Sequence, residues 1–176
     1  GKTENLARLV NDIITLQMVT PATIRAVPLD LVTLARQAAD GVAAAAQEAG
    51  VRLVVNLPPA SIPIRGDPLR LSQVFDNLLG NAVKFTGAGG EIGLIVQPGH
   101  NVARVEVRDT GIGIAPDSLQ RIFDRFYQVD GTSTRKRGGI GLGLSISKLI
   151  VESHGGYIGV ESAVGQPGRI EVEAEV

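Results

Sequence analysis

Three groups of residues in this chain combine types and spacings that can do chemistry. Gln73, Asn77, Asn81 and Lys84 follow one another at intervals of four, four and three, which puts them on one face of a helix. Carboxamide oxygens at Asn77 and Asn81 suit a magnesium ion, and the Lys84 ammonium suits a phosphate. A plain solvated face has the same composition. Asp109-Thr-Gly-Ile-Gly-Ile114 follows an alternating apolar run. A carboxylate at a strand end can accept a hydrogen bond from an exocyclic amine such as that of adenine, and Gly111 and Gly113 let backbone approach a flat ring. A tight turn with a capping aspartate fits equally well. Gly138-Gly-Ile-Gly-Leu-Gly143 runs into Leu144-Ser-Ile-Ser-Lys. Free N–H groups at a helix start form an anion site, while a flexible linker before a helix gives the same pattern.

Between the last two groups lie Arg121-Ile-Phe-Asp-Arg-Phe-Tyr127 and Thr134-Arg-Lys-Arg137. The chain has 4 Phe and 2 Tyr, so Phe123, Phe126 and Tyr127 are half of its aromatics and are suited to anchoring a flap. Arg135, Lys136 and Arg137 either reach phosphates or form a solvated charge run.

The elements that must position these groups are legible from periodicity and breakers. Residues 3–19 place Leu6, Leu9, Val10, Ile13 and Ile14 at helical spacing, and Pro21 ends the run. That helix reads either as core-facing or as the stub of a longer one. A second helix spans Asp30–Ala49 and stops at Gly50. Strands follow at 51–57 and, shorter, at 62–64. Asp67 is an N-cap with Pro68 at the first helical position of a third helix running to Phe85. Its other side carries Leu71, Val74, Phe75, Leu78, Leu79 and Ala82. Strands are expected at 91–97 and 102–108, a short helix at 116–123, a helix at 140–154, and strands at 157–162 and 170–176. This order predicts an α+β layered domain with an antiparallel-leaning sheet.

Composition narrows the function. The 176 residues are one ordinary domain, 44% hydrophobic and 20% charged, which excludes wholesale disorder. The net charge of −1 disfavours a nucleic-acid partner, and the absence of cysteine excludes thiolate chemistry. No apolar run has the length of a membrane span. Of 22 glycines, 18 fall in residues 80–176, so the second half carries many turns or a binding loop.

Taken together and in order, these segments resemble the catalytic and ATP-binding domain of the two-component sensor histidine kinases. Residues 71–86 look like that family's N box, 107–114 its G1 box, 122–126 its F box and 139–144 its G2 box. The resemblance covers residues 28–176 and implies a two-layer α/β sandwich of the Bergerat type: a mixed, mainly antiparallel sheet on three helices, under a mobile lid at about 115–140. It further implies ATP and Mg²⁺ as ligands. By the same resemblance Asn81 binds magnesium with help from Asn77, and Lys84 contacts phosphate. Asp109 reads adenine, with Gly111, Gly113 and Ile114 shaping the pocket. Gly139, Ile140, Gly141, Leu142, Gly143 and Leu144 hold the triphosphate at a helix start, with Phe123, Phe126, Tyr127, Arg135, Lys136 and Arg137 contributing from the lid. Residues 1–20 resemble the end of the second helix of a dimerisation and phosphotransfer hairpin, leaving 21–176 as the catalytic domain.

The implied reaction transfers the ATP γ-phosphoryl to a histidine. Neither His100, in an expected turn, nor His154, in an expected last helical turn where partial charge suits the dipole, fits the acceptor pattern. The resemblance therefore puts the acceptor upstream of residue 1, in a homodimeric, cytoplasmic or membrane-anchored parent that signals to a response regulator. Related ATPases of this fold carry a glutamate where Asn77 stands, and an amide cannot act as a base, so transfer is expected over hydrolysis. The family's late Gly-x-Gly-Thr/Ser-x-Phe is not matched, since Gly165-Gln-Pro-Gly168 is followed by Arg169 and Ile170. The hydroxyl is missing, and no ligand contact is assigned there.

Overall fold

A computed structural model describes residues 2–129 and 141–176. In chain order the elements are α1 (Lys2–Met18), a 3-10 turn (Pro21–Thr23), β1 (Val27–Asp30), α2 (Leu31–Glu48), β2 (Arg52–Asn56), β3 (Pro63–Gly66), α3 (Pro68–Phe85), β4 (Glu91–Pro98), β5 (Val102–Asp109), α4 (Pro116–Leu119), α5 (Gly143–Ser153), β6 (Tyr157–Glu161) and β7 (Gly168–Glu175). The main sheet runs β2-β4-β5-β7-β6. Only β2–β4 is parallel, and the other three pairings are antiparallel. This is the expected mixed, mainly antiparallel sheet with α2, α3 and α5 layered on one face.

Alternation explains why that face is the buried one. Ile92, Leu94 and Val96 of β4 and Ala103, Val105 and Val107 of β5 point into the core two residues apart. They meet Leu71, Val74, Phe75, Leu78, Leu79 and Ala82 of α3, the stripe expected from the sequence, and Ile146, Ile150 and Val151 of α5. The opposite face carries ion pairs between neighbouring strands, such as Arg104–Glu173 and Arg169–Glu161, each at 2.8 Å. No helix among the described residues is long and apolar enough to cross a membrane.

Two aspartates start the long helices. The Asp30 carboxylate accepts N–H bonds from Val32 (3.1 Å) and Thr33 (3.3 Å) at the start of α2, and from Ile62 (2.9 Å). The Thr33 hydroxyl and these amides hold its carboxyl below the usual range. Asp67 caps α3 through Leu69 and Arg70 N–H.

Four expectations change. β1 was not expected; it pairs with β3 in a separate two-stranded sheet, with Leu29 opposite Ile64. The short helix stops at Leu119 rather than 123. The last helix begins at Gly143 rather than 140 among the described residues. His154 is not a charged end-cap: its Nε2 accepts the Asp67 N–H at 2.9 Å and its Nδ1 lies 2.8 Å from the Ile150 carbonyl. Both contacts are made together only by the neutral ring with its proton on Nδ1.

The two readings of α1 are both partly realised. Leu9 and Leu16 pack on the core and Thr15 is fully buried, while Leu6, Val10, Ile13 and Met18 are exposed. The Arg70 guanidinium donates to the Thr15 hydroxyl at 3.0 Å, fastening α1 to α3.

Candidate functional site

α3, the C-terminal ends of β5 and β6, the start of β7 and the start of α5 enclose one cavity of about 360 Å³. That volume suits a small organic ligand. α3 packs its apolar stripe against the sheet, and its half-buried polar row flanks that stripe. Asn77, Asn81 and Lys84 accordingly form one wall. The Asn77 amide N–H donates to the Gly143 carbonyl at 3.1 Å, so this side chain also joins α3 to α5. Its N–H₂ is thereby committed, which leaves its carbonyl oxygen for a ligand.

Asp109 closes the far end. It is the last residue of β5, where the strand stops pairing with β4, and its carboxylate turns back on the following loop. Oδ1 accepts the Gly111 N–H at 2.8 Å. Burial pushes its carboxyl above the usual range, and the Gly111 bond only partly opposes this. Gly113 has φ of +71°, and a side chain there would overlap the Ala163 carbonyl. That close approach is thus to the chain's own loop. Ile114 also lines the cavity, whereas Gly111 acts from behind it by holding Asp109.

Gly141, Leu142, Gly143 and Leu144 form the remaining wall. Gly141 has φ of +75°, and a Cβ would lie 2.5 Å from the Tyr127 carbonyl oxygen. The three aromatics separate. Tyr127 lines the cavity, its hydroxyl bonds Ser118 at 3.0 Å, and the Arg121 guanidinium stacks 4.3 Å from its ring centroid. Phe123 packs on the core beneath the Lys148 ammonium and does not line the cavity. Phe126 is exposed to solvent, at φ 63°. Arg135, Lys136, Arg137, Gly139 and Ile140 lie outside the described residues.

Several lining residues escaped the sequence reading. Val107, Val160 and Ile170 give the cavity an apolar floor, and Ser162 and Gly168 border Asp109. Gly168 is opposite Asp109 in the β5–β7 register, a signal that exists only once the strands are paired. Asp12 of α1 and Asp76 of α3 also reach the rim, although Asp76 is one helical step from Asn77. Partial burial raises the Asp76 carboxyl.

The donor set has a definite chemistry. No group of three His, Cys, Asp or Glu residues able to hold a metal occurs among the described residues. Asn77 and Asn81 offer two neutral oxygens, a set that fits Mg²⁺ only when phosphates and water complete its six ligands. One end of the cavity is thus polar and suited to phosphate, and the other is apolar with a single carboxylate.

Residues 66–176 match the family model described as histidine kinase-, DNA gyrase B- and HSP90-like ATPase. The chain is 39% identical over 173 residues to the circadian input-output histidine kinase CikA of Synechococcus elongatus, covering 96% of this chain and 23% of CikA. It is 37% identical over 128 residues to the sensor histidine kinase RppB of Synechocystis, covering 73% of this chain and 28% of RppB. It therefore spans about a quarter of these curated relatives. Among solved structures, full-length ShkA in complex with AMPPNP superposes with a TM-score of 0.78 at 34% identity, covering 96% of this chain and 35% of ShkA. The chain belongs to the histidine kinase-, DNA gyrase B- and HSP90-like ATPase family, and these curated relatives are named as histidine kinases.

Proposed function

We propose that the cavity takes ATP together with Mg²⁺, and that the domain phosphorylates a histidine on a dimerisation and phosphotransfer hairpin outside these residues. The observation that carries this is the polarity of one cavity. The Asn77–Asn81–Lys84 row and the head of α5 lie at one end, and Asp109 over an apolar floor lies at the other. A triphosphate and a base need that separation. ShkA, similar over 96% of this chain, carries AMPPNP, which supports the same ligand class here.

Asn81 and Asn77 would hold the metal through their carboxamide oxygens, and Lys84 and the α5 N-terminus would hold phosphate oxygens. The ion, when bound, neutralises phosphate charge. An imidazole nitrogen of the acceptor attacks the γ-phosphorus as the bond to the β,γ-bridging oxygen breaks, and ADP leaves with that oxygen. The chain's own part is placement and electrostatics. Neither histidine in the chain suits the acceptor role. His100 sits in the exposed β4–β5 turn, and both ring nitrogens of His154 are engaged. Residues 1–20 are assigned to the end of the hairpin's second helix and 21–176 to the catalytic domain, in a homodimeric parent that passes the phosphoryl group to a response regulator. The cytoplasm, where ATP is available, is the assigned compartment.

The test adds MgATP to the domain with the hairpin of its parent protein. An acid-labile, alkali-stable phosphohistidine on the hairpin, lost in Asn81→Ala, is expected. Wild-type protein that binds no adenine nucleotide at millimolar concentration would overturn the reading. Asp76 supports a second reading, because a carboxylate at the cavity rim near Asn77 and Asn81 could act as a general base for water. Multiple-turnover phosphate release without the hairpin, abolished in Asp76→Asn, would make hydrolysis the activity.

A further inference from the structure

Two hydrogen-bonding positions at the Asp109 end of the cavity, an acceptor and a donor proton, are unused among the described residues. Asp109 Oδ1 is taken by the Gly111 N–H, and Oδ2 accepts no hydrogen bond. Ser162 follows β6, on the loop to β7, and its Oγ accepts the Ile114 N–H at 3.0 Å. That bond fixes the oxygen and leaves the hydroxyl proton to be given elsewhere. The two atoms open on the same small space. A methyl group placed on Gly168 would lie 3.2 Å from Ser162 Oγ and 3.6 Å from Asp109 Oδ2. Gly168 is itself buried and lines the same cavity as Asp109 and Ser162, and its missing side chain lets the two approach there without a tight contact. Both Asp109 and Ser162 are half-buried.

We propose that Ser162 is a base-specificity residue, its hydroxyl donating to N1 of adenine while Asp109 Oδ2 accepts from the 6-amino group. The acceptor–donor pair is complementary to adenine, which presents a donor at C6 beside an acceptor at N1. Guanine presents the reverse, an acceptor at O6 and a donor at N1, so it would set O6 against a carboxylate and N1–H against the hydroxyl. A carboxylate alone selects an amino group. The hydroxyl adds a second, independent choice at the neighbouring ring atom. This inference rests on the cavity being the nucleotide site and deepens that reading by naming what reads the base.

The test measures equilibrium binding of ADP and of 1-deaza-ADP, in which N1 is replaced by C–H, to the wild-type domain and to Ser162→Ala, Ser162→Thr and Asp109→Asn. One hydrogen bond is worth about 1 kcal/mol, or roughly fivefold in affinity. Wild type is expected to bind 1-deaza-ADP roughly fivefold more weakly than ADP. Ser162→Ala should bind both equally and about as weakly as wild type binds the analogue, while Ser162→Thr keeps the preference for N1. A merely structural role through Ile114 would weaken both ligands and leave their ratio unchanged, which would overturn the proposal. Unchanged ADP binding in Ser162→Ala, with binding lost in Asp109→Asn, would overturn it while leaving the nucleotide site standing. No ADP binding by wild type would instead overturn the site itself.

Discussion

The Asn77 side chain and the Gly143 carbonyl, 3.1 Å apart, join the middle of α3 to the first residue of α5. A residue read from sequence as a metal ligand is therefore also a strut between the two walls of the site. Its neighbour one turn on, Asn81, has no such bond among the described residues.

The two asparagines should separate in experiment. Asn77→Ala is expected to lower both nucleotide affinity and stability, the latter by about 1–2 kcal/mol for a lost, partly buried hydrogen bond. Asn81→Ala should leave the melting temperature within a degree or two and abolish the Mg²⁺ dependence of ATP binding. Thermal melts with and without MgATP distinguish the two, and equal destabilisation by both would refute the division.

Asp109 trades stability for binding. Its carboxyl is raised by burial, so the folded protein takes up a proton more readily than the unfolded chain. The charged form therefore carries a penalty at neutral pH, and stability attributable to this group increases as pH falls through its folded value. Asp109→Asn keeps an oxygen for the Gly111 N–H and removes the charge. It should melt no lower than wild type at pH 7, and any advantage should vanish on acidification. Its ADP affinity should fall about tenfold or more. Melts at several pH values check the sign, and a lower melting temperature at pH 7 would contradict the assignment.

Asp30 behaves in the opposite sense. Its carboxyl is lowered by the Thr33 hydroxyl and by the amides of Ile62, Val32 and Thr33. The stabilisation is present above the unfolded value of about 4 and is lost as pH falls through the folded value. Asp30→Ala should cost about 1–2 kcal/mol at pH 7, the usual worth of such a cap. The gap from wild type should narrow below about pH 4, measured by urea unfolding. A gap independent of pH would show that the charge is irrelevant.

His154 is expected to be structural. His154→Ala leaves the Asp67 N–H without an acceptor between α3 and α5. A loss of about 2–3 kcal/mol in unfolding free energy should follow, with ADP affinity unchanged below the transition. Loss of nucleotide binding at constant stability would give the ring a role in the site.

The limits of α3 were legible because its signals are local. Asp67 as cap, Pro68 at the first turn and an apolar stripe of helical period all act within a few residues. β1 was not legible, because its pairing with β3 joins residues more than thirty positions apart and one of its four residues is a proline. The charge state of His154 was misjudged for a related reason. Helix position favours a cation, but an N–H arriving from Asp67 requires a bare ring nitrogen, and only packing α3 beside α5 delivers it.

The sequence by itself determined the order of the elements, the polar face of α3, the carboxylate at the end of β5 and the family to which these point. Those depend on periodicity, caps and residue chemistry, which are written along the chain. Tertiary structure decided that Asn77 braces α5, that Phe123 and Phe126 do not line the cavity, and that Ser162 and Gly168 border Asp109. These last three residues meet because β5, β6 and β7 pair antiparallel in one register, with Asp109 opposite Gly168 and Glu161 opposite Arg169. Register is fixed by which faces of all three strands are buried together, a condition that no single stretch of sequence contains.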